Sequence, residues 1–122
     1  MALMQASRFN VATVGVFSWA ALQPAEDQFT FGWLDDVLDR LHSAGRRVCL
    51  ATPTAAQPAW MSQQYPDVLR SDEMGRRRHH GLRANYCPNS PSYRRFAAQI
   101  AARLAERYSA HSALVMWHVS NE

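Results

Sequence analysis

Asn121 and Glu122 close the stretch ALVMWHVSNE, residues 113–122, in which an apolar run suited to a buried strand gives way to an amide and a carboxyl group. A carboxyl held at the exit of such a strand, with apolar and aromatic residues beside it, loses hydration. Its pKa is then pushed up toward the range in which a general acid works. Glu122 is the only one of the ten acidic residues in that position. Asp35, Asp36 and Asp39 share the polar side of one predicted helix and Glu106 lies on another, while Glu26, Asp27, Asp67, Asp72 and Glu73 fall in connecting segments. Spacing alone makes Glu122 the candidate acid, against the alternative of a frayed terminal residue with no chemical role. His118 shares strand parity with Glu122 and could face the same way, although a packed, hydrogen-bonded core histidine is the simpler reading.

Two other clusters carry potential chemistry. His79 and His80 adjoin each other in a loop, without helical metal-ligand spacing, and read as solvated. They belong to GRRRHHGLR, residues 75–83, which supplies much of the formal charge of +3. A solvated loop is the first reading of this run. The second is a non-catalytic binding module in which Arg76 to Arg83 contact phosphates or an acidic polymer. Signs are mixed elsewhere, so no nucleic-acid partner is expected. Cys49 and Cys87 are too few for a disulfide framework and lack a C-x-x-C partner, which suits a reducing compartment.

The elements that must position these residues follow from periodicity. NVATVGVFSW, residues 10–19, is rich in valine and aromatics and predicts a buried strand. Leu34, Val37, Leu38 and Leu41 then recur at helical spacing, with the aspartates on the other side and Gly45 where a left-handed C-cap belongs. RRVCLATPT, residues 46–54, predicts a second strand that ends at Pro53. A short helix is expected between Pro58 and Pro66, inside a long irregular connection. Ser90 and Pro91 open another helix, as cap and first-turn proline, and Phe96, Ile100, Leu104 and Tyr108 line its apolar face. Residues 113–119 predict the third strand, and a helix-like trace remains in residues 2–7.

Strand, helix, strand, loop, helix, strand implies right-handed crossovers and a parallel sheet. With 48% hydrophobic and 19% charged residues the composition is that of a globular domain. No apolar stretch approaches the ~20 residues needed to cross a bilayer, and Met1 to Asn10 lack the features of a signal peptide, so a cytoplasmic location is expected. Three parallel strands with helices for one face fall short of the usual covering on both faces. The expectation is an excerpt of a larger α/β fold, a partial (β/α)8 TIM barrel holding about strands 2 to 4, with residues 1–122 a fragment of one barrel domain. In such a barrel the residues to inspect are Phe17 to Trp19, Thr52 to Thr54 and Ser120 to Glu122, just past the strands.

The stretches VATVGVFSWAALQP, FTFGWLDDVLDRLHSAG, VCLATPTAAQPAWMSQQYPDVL, GLRANYCPNSPSYRR and ALVMWHVSNE, in that order over nearly the whole chain, resemble the catalytic barrel of glycoside hydrolase family 42, the bacterial β-galactosidases. The resemblance implies retaining hydrolysis of terminal non-reducing β-D-galactose, with β-galactosides or galacto-oligosaccharides as substrates. By that likeness Glu122 is the general acid/base, Asn121 hydrogen-bonds the sugar 2-hydroxyl and Arg83 contacts the galactose. Cys87 matches a cysteine of a zinc site found in some members, but its companion ligands are not in this sequence, so no cofactor is expected here and a structural zinc only in a full-length enzyme. The nucleophilic glutamate of the family belongs to a later strand, so the chain alone is expected to hydrolyse nothing. Full-length members are often homo-oligomers, trimers among them, and no membrane partner is implied. A truncated, non-functional gene product remains the third reading.

Two positions depart from the family pattern. Gln23 stands where a glutamate is usual, and Ser120 where an aspartate is frequent. Trp19, Trp60 and Trp117 are suited to stacking on a sugar face, with wall or core packing as the default, and Trp33 reads as packing.

Overall fold

The structure is a computed structural model that describes residue 3, residues 6–81 and residues 84–122. Three parallel strands form one sheet in the order β1 (Val11–Val14), β2 (Arg47–Ala51), β3 (Leu114–His118). Among the described residues four α-helices connect them, α1 (Trp19–Leu22), α2 (Gly32–Ser43), α3 (Ala59–Gln64) and α4 (Pro91–Tyr108), with a 3-10 turn at Pro66–Val68. This is an α/β arrangement of the kind found in (β/α)8 barrels. Most of the helix-like trace at residues 2–7 lies outside the described residues.

Strand alternation divides the sheet into two faces. Ala12, Val48 and Leu114 stand in register, as do Val14, Leu50 and Trp117, and all six pack into the core formed with the helices. Leu34, Leu38 and Leu41 of α2, and Phe96, Ile100, Leu104 and Tyr108 of α4, bury the faces that their spacing marks as apolar. Thr13, Cys49 and Met116 occupy the opposite face, followed by Ala51 and His118. A register shift between Val48 and Cys49 leaves Val115 as an extra residue in β3, which is why Trp117 rather than Met116 joins the helix side.

Several boundaries differ from the periodic reading. The first strand ends at Val14, because Gly15 takes φ of +84°, and Trp19 opens α1 instead of closing a strand. At the far side of α2, Gly45 has φ of +68° as a C-terminal glycine should, and the Arg46 N–H reaches back to the Leu41 carbonyl. Trp33 remains 40% exposed rather than packed, since the α2 core is filled by the three leucines. Ser90 accepts the Tyr93 N–H at 3.0 Å and Pro91 begins α4, as the sequence indicates.

Candidate active site at the strand exits

Parallel pairing brings the exits of all three strands to one edge of the sheet. At the first exit the Ser18 hydroxyl donates to the Gly15 carbonyl over 2.8 Å, and a Cβ on Gly15 would stand 3.4 Å from Ser18 Oγ. The second exit is TPT, residues 52–54, where Thr52 and Thr54 are both buried. Thr52 N–H donates to the His118 carbonyl at 2.9 Å, and Thr52 Oγ1 accepts the Ser120 N–H at 2.8 Å. Thr54 Oγ1 lies 3.5 Å from Thr52 Oγ1, and the Thr54 carbonyl accepts the Tyr93 hydroxyl at 2.8 Å. Burial, with the neighbouring Tyr86 adding to it, holds the Tyr93 phenol well above the ordinary tyrosine range, so it remains a neutral donor.

The third exit carries the candidate acid. Beyond β3 the backbone turns left-handed at Ser120, with φ of +57°, and again at Glu122, with φ of +48°. Asn121 is half-buried and Glu122 is exposed. These turns break the alternation on which the parity of His118 and Glu122 depended, so spacing along a strand no longer relates the two side chains. His118 stays on the face away from the helices, with Nδ1 buried and without a hydrogen-bond partner among the described residues. Ser120 Oγ is buried in the same condition.

Arg83 lies outside the described residues. Around it the basic run is folded rather than loose: Arg76 pairs with Asp72 at 3.0 Å, Arg77 donates to the Leu69 carbonyl, and Ser71 and Arg77 form an antiparallel bridge. His80, though exposed, has Nδ1 2.8 Å from Ser62 Oγ, so it is tethered as well as solvated. Arg70, Arg78, His79 and His80 border an open cavity of about 290 Å3 whose floor includes buried Asn85. Asn85 is itself fixed by Gln57 and the His79 carbonyl. Cys87 carries a free, half-buried thiol. Among the described residues no three His, Cys, Asp or Glu side chains gather as a metal site, and one thiol does not make a tetrahedral set.

Trp19, Trp60 and Trp117 pack in or against the core. Trp19 is fully buried and donates Nε1–H to Gln23 Oε1 at 2.9 Å, Trp60 donates to the Gln23 carbonyl, and Trp117 faces the helices. Gln23 in turn donates its amide to the Glu26 carbonyl at 2.8 Å. A carboxylate at position 23 would have no proton to offer that oxygen, which gives the departure from the family pattern a local reason. Thr52, Thr54 and Tyr93 are the site residues to which the sequence assigned no role. The only signal was the position of the two threonines just past a strand.

The family described as beta-galactosidase, Glyco_hydro_42, matches residues 1–122. Beta-galactosidase BgaP of Planococcus sp. (strain L4) is 58% identical over 113 residues, which cover 93% of this chain and 17% of that protein. Beta-galactosidase BglY of Alicyclobacillus acidocaldarius is 51% identical over 120 residues, covering 98% and 17%. The crystal structure of a β-galactosidase from Bacillus circulans sp. alkalophilus is similar at a TM-score of 0.96 and 53% identity, over 99% of this chain and 18% of that one. A catalytic mutant of Gan42B, a GH42 β-galactosidase from G. stearothermophilus, gives a TM-score of 0.97 at 52% identity, again over 99% and 18%. The chain thus spans less than a fifth of the length of these relatives, while the family match runs over residues 1–122. The chain belongs to glycoside hydrolase family 42.

Proposed function

We propose that these residues form the acid/base side of a β-galactosidase active site within a single (β/α)8 barrel domain. Glu122 protonates the departing glycosidic oxygen and later deprotonates the attacking water, Asn121 binds the 2-hydroxyl of the galactose, and Arg83 contacts the same sugar. What supports this reading is the family match over residues 1–122, together with the position of Asn121 and Glu122 just past β3. A retaining mechanism requires a second carboxyl about 5 to 5.5 Å from the first, acting as nucleophile. By family likeness that glutamate comes from a later strand, so the isolated chain binds no complete transition state and turns over no substrate. Closure of the barrel would also shield Glu122 from water, as a general acid requires.

The substrates of this reading are β-galactosides and galacto-oligosaccharides with a terminal non-reducing galactose. A homo-oligomer in the cytoplasm, trimeric by family likeness, is the accompanying expectation. Any structural zinc in the complete enzyme would use Cys87 together with ligands from elsewhere in the protein. Among the described residues no helix is long and apolar enough to cross a membrane.

A chimera tests the proposal: residues 1–122 replace the matching segment of the Planococcus sp. (strain L4) enzyme, and Glu122→Gln is made in that background. An acid at position 122 predicts a loss of about 100-fold or more in kcat/KM for alkyl galactosides, and a far smaller loss for aryl galactosides with activated leaving groups. Equal losses on both substrate classes would count against the acid role.

A further inference from the structure

The ladder between β2 and β3 ends on a side chain. Thr52 N–H donates to the His118 carbonyl, and in a regular parallel ladder the Thr52 carbonyl would next accept the N–H of Ser120. Thr52 Oγ1 accepts it instead, at 2.8 Å. The substitution frees β3 to leave the sheet at Ser120 while keeping that amide fastened to β2. Ser120 holds φ of +57°. That conformation costs a non-glycine residue about 1 kcal/mol or more and persists only where its surroundings impose it. Its own hydroxyl has no hydrogen-bond partner among the described residues, so the restraint comes through the backbone amide. Asn121 and Glu122 follow directly.

Behind Thr52 stands a buried chain of groups. Thr52 Oγ1 is 3.5 Å from Thr54 Oγ1, and the Thr54 carbonyl accepts the Tyr93 hydroxyl. Tyr93 is anchored in α4, stacked on Tyr86 at 4.4 Å and set edge-on to Trp19 at 6.1 Å. Thr52, Thr54 and Tyr93 are all buried. Water therefore competes little for these hydrogen bonds.

We propose that Thr52 is a positioning residue: its hydroxyl fixes the Ser120 amide and thereby the direction in which Asn121 and Glu122 meet the sugar. The inference rests on the acid/base reading of Glu122. Thr52 touches no reacting atom. It acts through the turn, and a shift of about 1 Å in a catalytic group costs as much as 100-fold in rate.

The test uses the same chimera with Thr52→Val, which keeps the shape but removes the acceptor, Thr52→Ala, which avoids crowding should the valine fail to fold, and Thr52→Ser, which retains the hydroxyl. The readout is the ratio of kcat/KM for an alkyl galactoside to that for an activated aryl galactoside, because this ratio does not depend on how much protein is folded. Thr52→Val and Thr52→Ala are expected to lower the ratio by about 10- to 100-fold, and Thr52→Ser to keep it within about threefold of the parent. An unchanged ratio in the valine and alanine variants, or an equal fall in the serine variant, overturns the inference. If Glu122→Gln lowers the ratio and Thr52→Val does not, the positioning role alone fails. An inactive parent chimera, or a Glu122→Gln variant with no leaving-group preference, overturns the acid/base reading and this inference with it.

Discussion

Ser90 fixes the start of the helix that carries Tyr93. Its hydroxyl oxygen accepts the Tyr93 N–H at 3.0 Å, and its proton goes to the Asp67 carboxylate. Burial works to raise the pKa of Asp67, but hydrogen bonds from Ser90 and Ser92 outweigh it and hold the carboxyl below its ordinary value. Ser90→Ala removes the cap and one donor to Asp67 together, and is expected to destabilise the chimera by about 1 to 2 kcal/mol in urea unfolding. Ser90→Thr keeps both hydrogen bonds and is expected to recover most of that loss. Ser90 and Pro91 were legible in the sequence because a cap acts within one helical turn. The Thr52–Ser120 bond was not, since it joins residues 68 apart and requires the register of β2 on β3, including the extra residue Val115. Strand parity failed for His118 and Glu122 for a related reason: alternation has no meaning once Ser120 turns left-handed.

At the scale of elements, α2 and α4 are joined on their outer sides by charge as well as by the core. Arg107 reaches both oxygens of Asp35, at 2.8 Å and 2.5 Å, and the Tyr108 hydroxyl donates to the same carboxylate at 2.6 Å. One turn further along, His111 Nε2 lies 3.2 Å from Asp39. The aspartates of α2 read from the sequence as a merely solvated face, because periodicity shows which side of a helix is polar and not what lies across from it. Hydrogen bonds from Arg107 hold the Asp35 carboxyl below its ordinary value of 3.8, against the opposing effect of burial. Asp35 therefore stays ionised to lower pH when folded than when unfolded. Its contribution is whole above the unfolded value and disappears as pH falls through the lower, folded one. The stability difference between the parent chimera and Asp35→Asn is expected to be about 0.5 to 1 kcal/mol at pH 6, given partial exposure. It should shrink as pH falls below 3.8, and also as salt is raised. A difference that stays constant from pH 6 to pH 2.5 would show that the helices are joined by shape alone.

For the whole molecule, the deciding feature is a parallel sheet in which β1 and β3 each pair on one side only among the described residues. β3 presents Val115 at 51%, Met116 at 59% and, just past its end, Val119 at 80% exposure, an apolar edge beside unpaired backbone groups. Complete barrels have no such edge, because every strand has two neighbours. The sequence indicated this shortage through its count of strands and helices, but only the structure identifies the face away from the helices, with Thr13, Met116 and His118, as the one left uncovered by them. Prepared alone, the 122-residue chain is expected to associate with itself in sedimentation velocity experiments, more so as concentration rises. Val115→Lys places a charge on the edge without touching the helix-side core, and should shift the population toward monomer. The same edge in the chimera is covered by neighbouring strands, so Val115→Lys there should lower stability rather than improve solubility, by about 2 kcal/mol or more for a charge buried without a partner. A monomeric isolated chain with one sharp cooperative melt would mean that its single covered face suffices for folding and that the open edge is tolerated. Opposite effects of one substitution in the two settings would tie the exposed apolar residues of β3 to barrel closure.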